Sequence, residues 1–195
     1  MLAIAAYGLQ LVVAGATDEE AAYRMLVATV RPRYGHLVPL TPFLHASHAH
    51  LVGNVAALLV AGTLVERRVG ARALVAFVWV TGTLANLLPS LLGASDPGVG
   101  LSGATFGLSA YVGVAYLRVG MERVGTAESL RGHVRVVATL VAGALGLFYT
   151  TVAVAQFLGV VPSGPGVSVA SHVVGVVAGV GFCAWWEPIA GPRAR

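Results

Sequence analysis

The stretch Gly100-Leu-Ser102-Gly103-Ala-Thr-Phe106-Gly107 combines a hydroxyl that can serve as a nucleophile with glycines that let a neighbouring helix or a substrate backbone come close. A serine in an apolar run commonly bonds the carbonyl four residues back in its own helix, and Ser102 by itself carries no further meaning. His172 changes the weighting. It stands in an otherwise Val/Gly/Ala run, where an imidazole needs a polar partner, and it can take the serine proton as general base. His172, Gly175 and Gly179 share one stripe of a helix, and Gly103 and Gly107 form a GxxxG on another, so the two helices can pack closely with Ser102 facing His172. Phe106, one turn beyond Ser102, is placed to pack under that imidazole; an ordinary core or lipid-facing aromatic fits the same spacing.

His50 and Asn54, at i and i+4, share one helix face and offer side-chain donors. Aimed at the same cavity, they and the Ser102 backbone N–H could hold the negative oxygen of a tetrahedral intermediate. Interhelical hydrogen bonding is the other use of an asparagine in such a helix. His36, His45, His48 and His50 raise a metal site as a rival. That reading is the weaker one, because His50 points well away from His48 and no HExxH or adjacent carboxylate completes a ligand set. Neither a metal nor a cofactor is expected. Asp96 is the only carboxylate near Ser102 in sequence, which favours a Ser/His dyad over a triad.

The elements that must carry these residues follow from composition. The chain has 195 residues, 57% of them hydrophobic and 10% charged, with a mean hydropathy of +0.82, which excludes a water-soluble globule. Most of its surface must face lipid. The net charge of +4 does not indicate a nucleic-acid partner, because the twelve basic residues are all Arg and sit between apolar runs. One cysteine, Cys183, excludes an intramolecular disulfide. Apolar runs at 46–65, 72–93, 101–119, 134–158 and 168–186, with a shorter one at 2–16, predict six transmembrane helices in one domain covering 1–195. The first run reaches only about 22 Å against a hydrocarbon core of roughly 30 Å. No cleavable signal pattern precedes it, so it is expected to act as the targeting signal.

Nine of the twelve Arg fall in the loops after the second and fourth runs and in the C-terminal tail; the long first loop holds Arg24, Arg31 and Arg33. Positive charge is retained in the cytoplasm, so both termini are expected there, in a multi-pass protein of the cell membrane. His45, His50, Asn54, Ser102 and His172 then lie in the outer half of the membrane. Polar side chains are costly in hydrocarbon, and their occurrence at one depth on three helices implies a shared water-accessible cavity. At the inner end only Glu66, beside Arg67 and Arg68, stands out.

Taken in order, His45-Ala-Ser-His-Ala-His50-Leu-Val-Gly-Asn54, Gly100-Leu-Ser102-Gly103 with Phe106-Gly107-Leu108, and Ser171-His172-Val-Val-Gly175 followed by Gly179 closely resemble the rhomboid family of intramembrane serine proteases. Val65-Glu66-Arg-Arg-Val-Gly70 also looks like the family's acidic residue and glycine. The resemblance covers about residues 36–186 and implies an all-α, six-transmembrane-helix rhomboid-like bundle. It implies Ser102 as nucleophile, His172 as general base, and His50, Asn54 and the Ser102 amide as the oxyanion hole. His45, Gly100, Gly103 and Phe106 are then supporting residues. The fifth span, 134–158, and the Gly/Pro-rich 159–167 would gate access for a substrate helix. Many members carry a Trp-Arg pair in the first loop; His36-Leu37 occupy about that place here.

The activity so implied is hydrolysis of peptide bonds in membrane-anchored protein substrates near the outer face. An inactive relative that binds transmembrane clients is the alternative, and the presence of both Ser102 and His172 favours the enzyme. A channel is weaker still, because the polar residues stop at mid-membrane.

Overall fold

The computed structural model describes residues 7–8, 39–93, 98–163 and 167–190, with residues 188–190 described by their backbone alone. Among the described residues the fold is all-helical, with no strand. A 3-10 turn over 39–43 leads into α1 (His48–Val69), followed by α2 (Ala71–Leu91), α3 (Ser102–Arg123), α4 (Leu130–Phe157) and α5 (Val169–Ala190). The run at 2–16 lies outside the described residues except for Tyr7 and Gly8, which are helical.

Local chemistry sets the limits of these helices. Ser47 caps α1, its hydroxyl accepting the His50 N–H at 3.1 Å. The helix widens into a π turn at Leu58–Gly62 and ends at Gly70, whose φ of 85° only glycine takes up at no cost. That single residue joins α1 to α2. Ser129 caps α4 by accepting the Gly132 N–H at 3.1 Å, so the helix starts four residues before the apolar run at 134.

Four helices, α1, α2, α4 and the α5 segment Val169–Glu187, are long and apolar enough to cross a membrane, and the protein is a multi-pass membrane protein. Large apolar side chains cover the outside, among them Leu59, Val60 and Phe148, each about two-thirds exposed. Polar side chains are inside: Thr41, Asn86 and Thr105 are fully buried. The most polar helix, α3, is also the most enclosed, buried at every residue from Ser102 to Gly113. It packs most extensively on α4 and α5. Enclosed by protein, α3 does not need the lipid-facing apolar surface of the other four.

Close approach to α3 depends on glycine on both sides. A Cβ at Gly146 of α4 would come within 2.6 Å of the Gly113 nitrogen, and one at Gly175 of α5 would collide with the Gly103 carbonyl. At the end of the bundle away from Ser102, Glu187 of α5 accepts hydrogen bonds from Arg68 of α1 and from the Tyr111 hydroxyl of α3. Glu66, the acid that stands out there in the sequence, is exposed, and the partly buried acid paired with Arg68 comes from α5.

Candidate active site

Ser102 is the first residue of α3 and is 8% exposed. That position removes the ordinary use of a helical serine, because residue 98, four back, precedes the helix. The contrast within the chain is clear. The hydroxyls of Thr63, Ser109, Thr139, Thr150 and Thr151 all donate to the carbonyl four residues back, at 2.6–2.9 Å.

His172 lies one turn into α5, almost fully buried, with its ring on Phe106 at a centroid separation of 4.2 Å. Phe106 is in turn stacked on Tyr149 of α4 at 4.6 Å. The three rings form a column through α5, α3 and α4, and Tyr149 is the member that sequence reasoning missed. His172 Nδ1 is buried with no hydrogen-bond partner, and no hydrogen bond joins the imidazole to Ser102 among the described residues. Asp96 lies outside the described residues.

The third group comes from α1 and the turn before it. A Cβ built on Gly100 would stand 3.0 Å from His50 Cε1, 3.3 Å from Asn54 Nδ2 and 3.4 Å from His45 Cδ2, so three of the expected residues converge on the turn that leads into Ser102. Gly100 has φ 96°, and both the conformation and the space exclude a side chain there. Asn54 Nδ2 is buried with no hydrogen-bond partner. His45 is fully buried ahead of α1, its Nδ1–H donating to the Phe43 carbonyl at 3.3 Å, and its ring meets that of His50 edge-on at 5.4 Å. Burial, helped by the neighbouring His50 and opposed by the Phe43 carbonyl, pushes the His45 imidazole down to about 4.

Gly103 faces Ala85 of α2 and the Ser171 carbonyl, which a Cβ would approach to 3.1 Å. His48 is exposed and contacts Tyr7, whose hydroxyl is 3.5 Å from His48 Nδ1. Among the described residues no three His, Cys, Asp or Glu come together as a metal site; His36 lies outside them.

Residues 36–186 match the family model of the Rhomboid domain. The chain belongs to the rhomboid family. The match takes in α1 to α4 entire and α5 up to Trp186, and so every site residue described above. Comparison with curated proteins and with solved structures gives no match. In this rhomboid the sequence motifs fall at helix starts: Ser102 opens α3, His172 is in the first turn of α5, and His50 and Asn54 are in the first two turns of α1. Asn86 and Thr41, which hold the turn before Ser102, were not singled out from sequence. An amide inside the apolar run Thr-Leu-Ala-Asn86-Leu-Leu was the available signal.

Proposed function

We propose that this rhomboid is an intramembrane serine endopeptidase, a hydrolase that cuts membrane-anchored proteins near the outer membrane face with a Ser102/His172 dyad. Ser102 Oγ attacks the scissile carbonyl while His172 takes its proton and then returns it to the leaving amine; water hydrolyses the acyl-enzyme. His50, Asn54 and the Ser102 amide donate to the oxygen that turns negative in the tetrahedral intermediate. His45, Gly100, Gly103 and Phe106 hold these groups in place. No step uses a metal or a cofactor.

The observation that carries this reading is the unpaired Asn54 Nδ2. A buried amide donor without an acceptor costs about 1–3 kcal/mol, and this one sits 3.3 Å from where a Gly100 Cβ would be, beside the turn into Ser102. An oxyanion formed there would supply the missing acceptor. The unpaired His172 Nδ1 supports a base that works without an orienting carboxylate.

The same reading makes α3 and the run at 2–16 the remaining two of six spans within one domain, in the cell membrane with both termini cytoplasmic. The α3 helix has 22 residues, and about 1.5 Å per residue gives it roughly the length of the hydrocarbon core. One observation favours the alternative of an inactive client-binding relative: Ser102 and His172 are not hydrogen-bonded here. Catalytic hydrogen bonds are often made only once substrate is bound, which accommodates it.

A serine-reactive phosphonate decides between them. The protease reading expects clear labelling of the reconstituted parent and none of Ser102→Ala; equal labelling of the two, or none of either, overturns it.

A further inference from the structure

The turn into Ser102 is held from α2 as well as approached by His50 and Asn54 of α1. Asn86, near the end of α2 and fully buried, uses its Nδ2 to donate to Thr41 Oγ1 at 3.1 Å and to the Gly100 carbonyl at 3.1 Å. The Thr41 carbonyl accepts the Gly100 N–H at 2.9 Å. Both backbone groups of Gly100 are therefore tied down. The amide orientation of Asn86 is fixed by chemistry, because a carbonyl oxygen only accepts and must face the NH2 group. Asn86 Oδ1 is buried without a partner, so the side chain sits there for what its donor does and at a cost for its acceptor.

Gly100, with φ 96° and no side chain, has little intrinsic resistance to rotation of the peptide plane that follows it. That plane is rigid, with its C=O and N–H pointing opposite ways. Rotated away from Asn86, the Gly100 carbonyl would turn its negative end from α2 toward the α1 side, where His50 Cε1 and Asn54 Nδ2 stand. An acceptor there would occupy the donors meant for an oxyanion and repel the oxygen itself.

We infer that Asn86 is a positioning residue for the nucleophile: its hydrogen bond keeps the Gly100 carbonyl on the α2 side, clears the oxyanion pocket and sets how the chain leads into Ser102. The inference rests on the reading of Ser102 as nucleophile. The Thr41 carbonyl supports it from the backbone, and the Thr41 hydroxyl accepts the second hydrogen of the Asn86 amide.

Asn86→Leu keeps the approximate shape and removes the donor, and Thr41→Val spares the bond from Asn86 to Gly100. In the reconstituted full chain, kcat per folded molecule should fall about 10²-fold in Asn86→Leu, the scale for misplaced reacting groups, with KM near the parental value. Thr41→Val should keep most of its kcat. If Asn86→Leu does not fold, the smaller Asn86→Ala, which also lacks the donor, takes its place. Amide exchange over residues 98–101 gives a readout without catalysis, and loss of the tie should speed Gly100 exchange at least about tenfold. Unchanged kcat and exchange in the Asn86 variant would overturn the inference, as would equal losses in Thr41→Val. Cleavage surviving in Ser102→Ala would instead defeat the nucleophile reading, and the exchange measurement would still decide whether Asn86 holds the turn.

Discussion

Gly175 of α5 rests directly on the main chain of Gly103 in α3, and one turn later Gly179 rests in the same way on Gly107. The backbone of the helix bearing His172 thereby comes against the backbone of the helix bearing Ser102 with no side chain between them. Gly175→Ala places a methyl group on a carbonyl that cannot move aside, and it should cost about 1–3 kcal/mol, with loss of any cleavage. Gly53→Ala, on α1 with open space around it, should change stability little or raise it by up to about 1 kcal/mol. Melting curves of the purified variants in detergent check the contrast.

Ser102 and His172 should fail together. Either alanine variant is expected to abolish cleavage of a reconstituted membrane substrate to a similar extent, because the hydroxyl needs its base. A chelator should leave activity unchanged. Inhibition that zinc restores would point instead to the histidines before and within α1.

Asn54→Ala separates an oxyanion donor from a helix tie. The donor role expects a loss of about 10²- to 10³-fold in kcat with little change in KM. A tie would lower the melting temperature by the equivalent of about 0.6–2 kcal/mol and leave kcat per folded molecule intact.

Glu187→Gln should destabilise the fold by about 1–3 kcal/mol, since it deprives both Arg68 and the Tyr111 hydroxyl of a charged acceptor. Glu66→Gln, at an exposed position, should lie within about 0.5 kcal/mol of the parent. Parallel denaturation of the two variants makes the comparison.

His45 adds a pH dependence. Its folded-state value near 4 lies below the ordinary histidine value of 6.5, so the unfolded chain binds the proton more tightly. The stability it contributes is complete above about pH 6.5 and is lost as pH falls toward 4. Melting temperature should decline over that window, and His45→Asn should flatten the decline.

The residues that sequence exposed best are those whose meaning is local. Gly175 and Gly179 can be matched to Gly103 and Gly107 because helical periodicity alone sets which glycines share a stripe, and Ser102 and His172 ride on the same helices. Asn86 has no such local signature: its partners Thr41 and Gly100 come from two other segments, and nothing in its own neighbours says that they meet. Glu187 stands one residue past the apolar run at 168–186 and reads as a tail residue until α5 is seen to carry it back to Arg68. The start of α4 is hidden in the same way, since Arg131, His133 and Arg135 look like a loop until Ser129 is recognised as the cap.

The enclosure of α3 has a consequence for how this protein is made. Rich in Gly, Ser and Thr and ending in Arg118, Glu122 and Arg123, it is the helix that a nascent chain would surrender to lipid least willingly. If α3 is one of the six proposed spans, its partition into the bilayer depends on its neighbours: α2, already synthesised, and then α4, whose glycines seat against Gly113 and Leu117. Only when α5 arrives does the last face of α3 close. Biogenesis thus supplies its own safeguard, since a chain stalled before α5 holds Ser102 without His172 and lacks half of the proposed dyad.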